Sequence, residues 1–321
     1  RPMLCRLLTC PTQRKNKPFS LSNDPFDFLA NGLIMRLYVF HQTKYRYPSP
    51  VKESFNELRL KPISNEWQKC ESCFVNVIPT AQLRQYLDLN GNLVHHFEIP
   101  QDHSKLIIES RSTVTTQSRV NFEAFPYGKT MKSLREVEGQ TDARPYLQSS
   151  SYVEINPEAW RLAVDIQGES QDIFQTAYQI MAFIYYNFEY SKSTTSVDTH
   201  GNQALELRKG VCQDFAHAAL VLCRCLGIPA RYVSGYFFDR TRDQTMRGSE
   251  ASHAWIEVLV NGFGWYGLDP TNNQVVDENY IVLGTGLDYK DVAPVTGSYF
   301  GKLPKSMEVS VTVKRLDGSS N

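Results

Sequence analysis

No run of 18 or more apolar residues occurs in the 321-residue chain, so the sequence offers no membrane-spanning helix. Its best apolar stretch, 180–188, is far too short and contains Tyr185, Tyr186 and Asn187. An excess of one charge is also lacking, because 34 Lys and Arg balance 34 Asp and Glu. Without a net field there is no electrostatic footprint for nucleic acid or an anionic membrane, and neither partner is expected. No apolar segment with a small-residue cleavage site opens the chain, so the cytoplasm is the expected compartment. Paired cysteine clusters are missing too. The seven cysteines are an odd number, and disulfide scaffolding is a poor explanation in a chain this long. The lone Cys70-Glu71-Ser72-Cys73 has no second ligand pair at zinc spacing and no βαβ setting for redox work. Two reduced thiols without a role are the expectation there.

What is present is globular: 41% hydrophobic and 12% aromatic residues. The length predicts two domains. Residues 1–34 read as a tail or extension, with a peripheral arm as the alternative, because a clean strand pattern starts at Met35. A β-rich domain is predicted over 35–118, a connector over 119–165, and an α+β catalytic module with a C-terminal strand over 166–321.

In the first domain, Arg36 to Tyr45 and Asn56 to Lys61 read as two strands, stopped at Tyr47-Pro48 and at Pro62. Phe74 to Ile78 and Leu106 to Val114 add more. Arg84 to Asp88 and Leu93 to Ile99 flank Asn90-Gly91, whose tolerance of positive φ marks a hairpin. Evenly spaced short strands predict a β-sandwich-like module. His41, His95, His96 and His103 read as half-exposed sheet positions and not as metal ligands.

A short helix is expected after Thr130, and a second at Asn156-Pro157, where asparagine caps and proline takes the first turn. A longer helix should run from Ser170, as its cap, to Asn187. Gln203 to Arg208 forms a short helix that leads into Gly210.

The stretch that carries chemistry is Lys209-Gly210-Val211-Cys212-Gln213-Asp214-Phe215-Ala216-His217. Cys212 falls at the first turn of a helix buried through Phe215, Ala219, Leu222 and Leu226, and Gly227 and Pro229 stop that helix. Unpaired amide N–H groups and the macrodipole favour negative charge at such a position. Cys223 and Cys225, at the far end, read as buried structural thiols. His217 is turned about 140° from Cys212 on the helix, and His200 lies in a loop. His253 opens an alternating strand, 253–260, and Trp265 to Asp269 returns as its antiparallel partner. A three-residue loop at 261–263 pairs Val260 with Gly264. Asp269 then lies diagonal to His253 on one face, within side-chain reach. A two-residue loop would put Asp269 on the other face. Cys212, His253 and Asp269 together read as nucleophile, base and orienting acid.

Gly210 to His217, the segment Gly227-Ile228-Pro229-Ala230-Arg231-Tyr232-Val233-Ser234-Gly235, His253-Ala254-Trp255-Ile256-Glu257-Val258 and Trp265 through Asp269-Pro270-Thr271-Asn272 resemble the bacterial transglutaminase-like family. That family belongs to the transglutaminase-like superfamily of papain-like cysteine enzymes. His41-Gln42-Thr43-Lys44-Tyr45-Arg46-Tyr47 and the Asn90-Gly91-Asn92 hairpin resemble its β-rich N-terminal domain. The similarity spans most of 35–303, and Gly286-Leu287-Asp288-Tyr289 departs from the Gly-Arg-Asp-Tyr expected there. The resemblance implies a papain-like core, preceded by a β-sandwich-like domain, with Cys212, His253 and Asp269 as its triad. It implies a cysteine hydrolase of amide or peptide bonds that works through a thioester on a protein or peptide, with no metal or cofactor. The alternatives are acyl transfer to an amine, as in a transglutaminase, and a catalytically silent interaction module. Trp255 and Trp265 read equally as walls of an acyl channel or as core aromatics.

Overall fold

Pro48 and Pro50 do not end the first strand. The computed structural model describes residues 34–118, 125–134, 142–192, 198–239 and 252–316, and in it β1 runs from Ile34 to Leu58. The two predicted strands are joined at a corner, where the register slips between Arg46 and Val51. A proline lacks the ladder N–H, and it costs little where the ladder is already broken. Before the corner β1 pairs with β5 (His103–Gln117) and β14 (Ser306–Arg315). Beyond it the partners are β4 (Leu93–Ile99) and β13 (Val295–Phe300). One bent strand thereby serves two sheets. β2 (Gln68–Ile78) extends the first through β5, and β3 (Arg84–Leu87) extends the second through β4.

The predicted hairpin is present: β3 and β4 pair from Arg84↔His96 to Leu87↔Leu93, and Gly91 takes φ 77° in the turn. The expected half-exposure holds for His96 and fails for the other three histidines. His41, His95 and His103 are buried, and each ring has a protein partner, as in His41 Nδ1 against the Tyr236 hydroxyl at 3.0 Å. Strand alternation predicts which face a residue takes, but not that another sheet will cover that face. Here Met35, Leu37, Val39, Val114 and Val311 pack against Tyr236, Ile281 and Leu283 of the second module. Each fully buried aliphatic side chain in such a core contributes about 1.5–3 kcal/mol.

The second module is built from α1 (Pro157–Gln167), α2 (Ile173–Asn187), α3 (Gly201–Leu207) and α4 (Cys212–Cys225), with a last short turn, α5 (Tyr289–Val292). Asn156 caps α1 through the Ala159 N–H, at 2.8 Å. Asp172, not Ser170, caps α2, and it accepts from the Gln175 N–H at 2.8 Å. Ser170 is buried and takes a bond from Thr176 instead, so the helix is capped two residues later than expected. After Thr130 a 3-10 turn, Met131–Ser133, leads into helical Leu134, and the rest of the helix expected there lies outside the described residues. The short strands β6 (Glu189–Tyr190) and β7 (Lys209–Gly210) run parallel just before α4.

The sheet of this module contains β8 (Ala230–Phe237), β9 (His253–Val260), β10 (Gly264–Asp269), β11 (Gln274–Val275) and β12 (Tyr280–Gly286), in the order β11-β10-β9-β8-β12. α4 lies against β8 and β9 and is buried from Gln213 to Arg224. β13 and β14 fall in the segment expected to close this module, yet both add to β1 and satisfy its otherwise open backbone edge. Nearly all of the tail expected over 1–34, and parts of the connector at 119–124 and 135–141, lie outside the described residues.

Candidate active site

The site begins with two residues that shape the turn into α4. Gly210 has φ 155°, and a Cβ there would overlap the Asp214 carboxylate. That carboxylate accepts from the Val211 N–H at 2.7 Å, which closes the turn and starts the helix at Cys212. Cys212 is half-exposed, while its neighbours from Gln213 onward are buried. The last turn ends as predicted, with Gly227 at φ 74° and the Ile228 N–H on the Cys223 carbonyl at 2.9 Å.

His253 and Asp269 are brought together by the predicted three-residue loop. The β9–β10 ladder pairs Val260 with Gly264 and runs to Ile256 with Leu268, and Gly262 takes φ 79° in the turn. That odd count puts His253 Nε2 2.8 Å from Asp269 Oδ2, with both side chains fully buried. Burial alone would drive the imidazolium to lose its proton. The charge and hydrogen bond of Asp269, followed by the hydrogen bond and charge of Cys212, outweigh it and raise the His253 pKa to about 10. Burial pushes Asp269 the opposite way, but the imidazolium and three donated hydrogen bonds hold it below the ordinary carboxylate range. With Nε2 committed to Asp269, His253 Nδ1 is the buried nitrogen left over, and Cys212 is the side chain that acts on the ring from outside that pair.

Asp269 is held by more than His253. Asn272 Nδ2 and the Tyr280 hydroxyl each donate to Oδ2 at 2.8 Å, and the Thr271 N–H donates to Oδ1 at 2.8 Å. Burial and the Asp269 charge keep the Tyr280 phenol well above its ordinary pKa, so it stays a donor. Sequence reasoning assigned Asn272 no role beyond its motif and passed over Tyr280. Asn272 is three residues from Asp269, and its spacing alone was a usable signal. Tyr280 arrives from β12, at the opposite edge of the sheet, and no local pattern announces it.

Trp255 is a core aromatic. It is fully buried, 5.2 Å from the Tyr280 ring and 6.0 Å from the His253 ring. It also covers Gly235, where a Cβ would overlap both the indole and the Ile281 carbonyl. Trp265 lies under the Arg231 guanidinium at 4.3 Å. The other histidines serve elsewhere. His217 is buried, stacked on Tyr152 at 5.2 Å, and accepts the Tyr289 N–H at 3.2 Å. Burial lowers its pKa to about 3, so the ring is neutral. His200 stands at the start of α3 beside Tyr152. Cys223 is buried and its thiol is pushed up to about 12 by burial, and Cys225 is half-buried with its pKa raised by the same cause. Among the described residues, no group of three or more His, Cys, Asp and Glu is placed to hold a metal, and no helix is long and apolar enough to cross a membrane.

Residues 161–270 match the family model of the transglutaminase-like superfamily, and residues 37–115 match the bacterial transglutaminase-like N-terminal region. An uncharacterised protein of Mycobacterium leprae is 34% identical over 284 residues, covering 88% of this chain and 99% of the relative. A protein-glutamine gamma-glutamyltransferase of Pseudomonas aeruginosa is 30% identical over 122 residues, 36% of this chain and 18% of that protein. A Cytophaga hutchinsonii crystal structure, provisionally described as a cysteine protease, superposes with a TM-score of 0.70 at 25% identity, covering 89% of this chain and 92% of the other. The mixed fold is thus a papain-like core behind a β-rich N-terminal region, and enzymes of this kind mostly work through a cysteine, as acyl transferases or hydrolases. The chain belongs to the transglutaminase-like superfamily and carries the bacterial transglutaminase-like N-terminal region ahead of its core.

Proposed function

We propose that the protein is a cysteine hydrolase of amide or peptide bonds, with Cys212 as nucleophile, His253 as acid and base, and Asp269 as the orienting acid. The observation that carries this reading is the fully buried His253–Asp269 pair, whose remaining ring nitrogen is left for Cys212.

In the proposed reaction the Cys212 sulfur attacks the substrate carbonyl carbon. The oxyanion is stabilised by first-turn N–H groups of α4, including that of Cys212, which lack intrahelical partners. His253 gives its proton to the leaving amine as the C–N bond breaks, and a thioester remains on Cys212. The now neutral His253 takes a proton from water, the hydroxide attacks the thioester, and the acid leaves as the thiolate is restored. Asp269 keeps the ring oriented and compensates its positive charge throughout. Water is the favoured acceptor because Cys212 is half-exposed, Trp255 is locked in the core and Trp265 is covered by Arg231. The substrate is a protein or peptide, and the site of action is the cytoplasm.

Iodoacetamide tests the nucleophile. Cys212 should alkylate faster than a free cysteine near neutral pH, and His253→Ala should remove that advantage. Equal rates would remove the basis of the enzyme reading. Assaying an activated acyl substrate with and without a primary amine separates the acceptors. Amine incorporation that outruns hydrolysis would make the protein a transglutaminase.

A further inference from the structure

Cys70 and Cys73 are three apart on β2, a spacing that puts two strand residues on opposite faces. The observed register overrides that expectation. Cys70 pairs with Val114, Ser72 with Thr113 and Cys73 with Ser112, so one extra residue, Glu71, is accommodated in a β-bulge. Val114 and Ser112 are two apart on β5 and both buried, so the two thiols point to the same face. Glu71 is anchored on the opposite face by a paired contact with Arg36, at 2.9 and 2.7 Å, and by the Thr115 hydroxyl at 2.6 Å. The bulge is therefore held by side chains of its own.

Across the bulge the two cysteines span two rungs of the ladder, about 6.8 Å between α-carbons at strand rise. That is the upper end of the range a disulfide bridges, roughly 4.4–6.8 Å. A regular strand would set them about 10 Å apart and facing away from each other. Both thiols are free and half-buried. Cys70 Sγ reaches the Ser72 carbonyl at 3.5 Å, and Cys73 Sγ lies 3.7 Å from the Ser110 hydroxyl. Cys73 lies near enough to add to the effect of burial in raising the Cys70 thiol.

We propose that Cys70 and Cys73 form a reversible dithiol–disulfide pair, a modification site separate from Cys212, whose oxidant is a low-molecular-weight disulfide of the glutathione type. One cysteine thiolate attacks the small disulfide, breaks its S–S bond and releases one small thiol, which takes up a proton. The other cysteine thiolate then attacks the mixed disulfide and releases the second small thiol. The protein gives up two protons and two electrons, and one small disulfide is reduced to two thiols. Because the span lies at the limit of disulfide geometry, the bond is strained, and strained disulfides are the readily reduced, regulatory kind. Its position has a consequence for the site. Gln68, two residues before Cys70, brackets β12 by donating to the Val282 carbonyl at 2.9 Å and accepting its N–H at 2.8 Å, and β12 carries Tyr280.

The test uses the full chain with Cys212→Ala, so that the nucleophile does not exchange thiols, in glutathione buffers of graded ratio. After alkylation, trypsin cuts at Lys69 and Arg84, leaving both cysteines in one peptide. At oxidising ratios that peptide should lose about 2 Da and take no label, and it should recover both labels at reducing ratios. Adding Cys73→Ser should leave a glutathione adduct on Cys70 instead. Separate glutathione adducts on both cysteines, or full alkylation of both at every ratio, would overturn the proposal.

Discussion

The Tyr280 hydroxyl donates to the same carboxylate oxygen of Asp269 that binds His253, and both contacts are 2.8 Å long. β10 and β12 lie three strands apart in the sheet order, so this bond ties opposite sides of that sheet to one atom. It makes Tyr280 a positioning residue, acting on His253 through Asp269. Tyr280→Phe keeps the ring packing against Phe237 and Trp255 and removes only the donor. A hydrogen bond to a charged group contributes about 1.5–3 kcal/mol, so kcat should fall roughly ten- to a hundredfold. Asp269 loses a competing donor and holds the imidazolium more tightly, so the alkaline limb of the pH–rate profile should move up. A purely structural role would leave that limb where it was.

The loop between β9 and β10 provides a parity test. Deleting Gly262 makes the connection two residues long, and a one-residue slip turns every side chain of β10 to the other face. Asp269 then leaves His253, and Leu268, now fully buried, is expelled from the core. Activity should vanish and the melting temperature should drop. Two glycines inserted after Gly262 keep the count odd, and this longer loop should preserve activity to within about tenfold. Folding of both variants is checked by circular dichroism.

His253 sets the alkaline limit. Its folded-state pKa, about 10, lies above the ordinary histidine value of 6.5. The stabilisation from the pair is therefore fully present below pH 6.5 and is lost as pH rises through about 10. Activity and thermal stability should both decline over that window. Asp269→Asn removes the main cause of the shift, so the alkaline limb should move to lower pH. By the cost of the same change in serine triads, kcat should fall on the order of 10⁴-fold. Titrating both proteins from pH 5 to 11 in parallel rate and melting series checks both statements.

Gly235 bears on packing more than chemistry. It pairs with His253 in the β8–β9 ladder, and Trp255 occupies the space a side chain would need. Gly235→Ala forces the indole or the β12 carbonyl to shift, and overpacking of this kind costs about 1–3 kcal/mol. Chemical denaturation should register that loss, along with a change in the environment of Trp255.

Much of the site was legible because its causes are local. Asn156-Pro157 and Gly227 carry their cap chemistry in the residues themselves, and the three-residue count at 261–263 decides which face Asp269 takes. The α4 start near Cys212 is legible from the apolar spacing that follows it, while the Asp214 bond to the Val211 N–H that fixes it is not. What escaped the sequence depends on distant partners. Pro48 looks like a strand stop until β1 is seen to change sheets at that corner. His41 looks half-exposed until Tyr236 closes over it. Tyr280 has no motif because its partner lies across the sheet, and Cys70 and Cys73 share a face only through a bulge in their pairing with β5.

The central claim is that the acyl group passes through Cys212. Rapid acid quench during turnover of an activated acyl substrate, followed by mass spectrometry, measures this directly. The peptide released by cuts at Lys209 and Arg224 should carry the acyl mass on Cys212 and lose it to hydroxylamine, while Cys212→Ala should show neither adduct nor turnover. Continued turnover by Cys212→Ala, or an acyl group found only on another residue, would contradict the account.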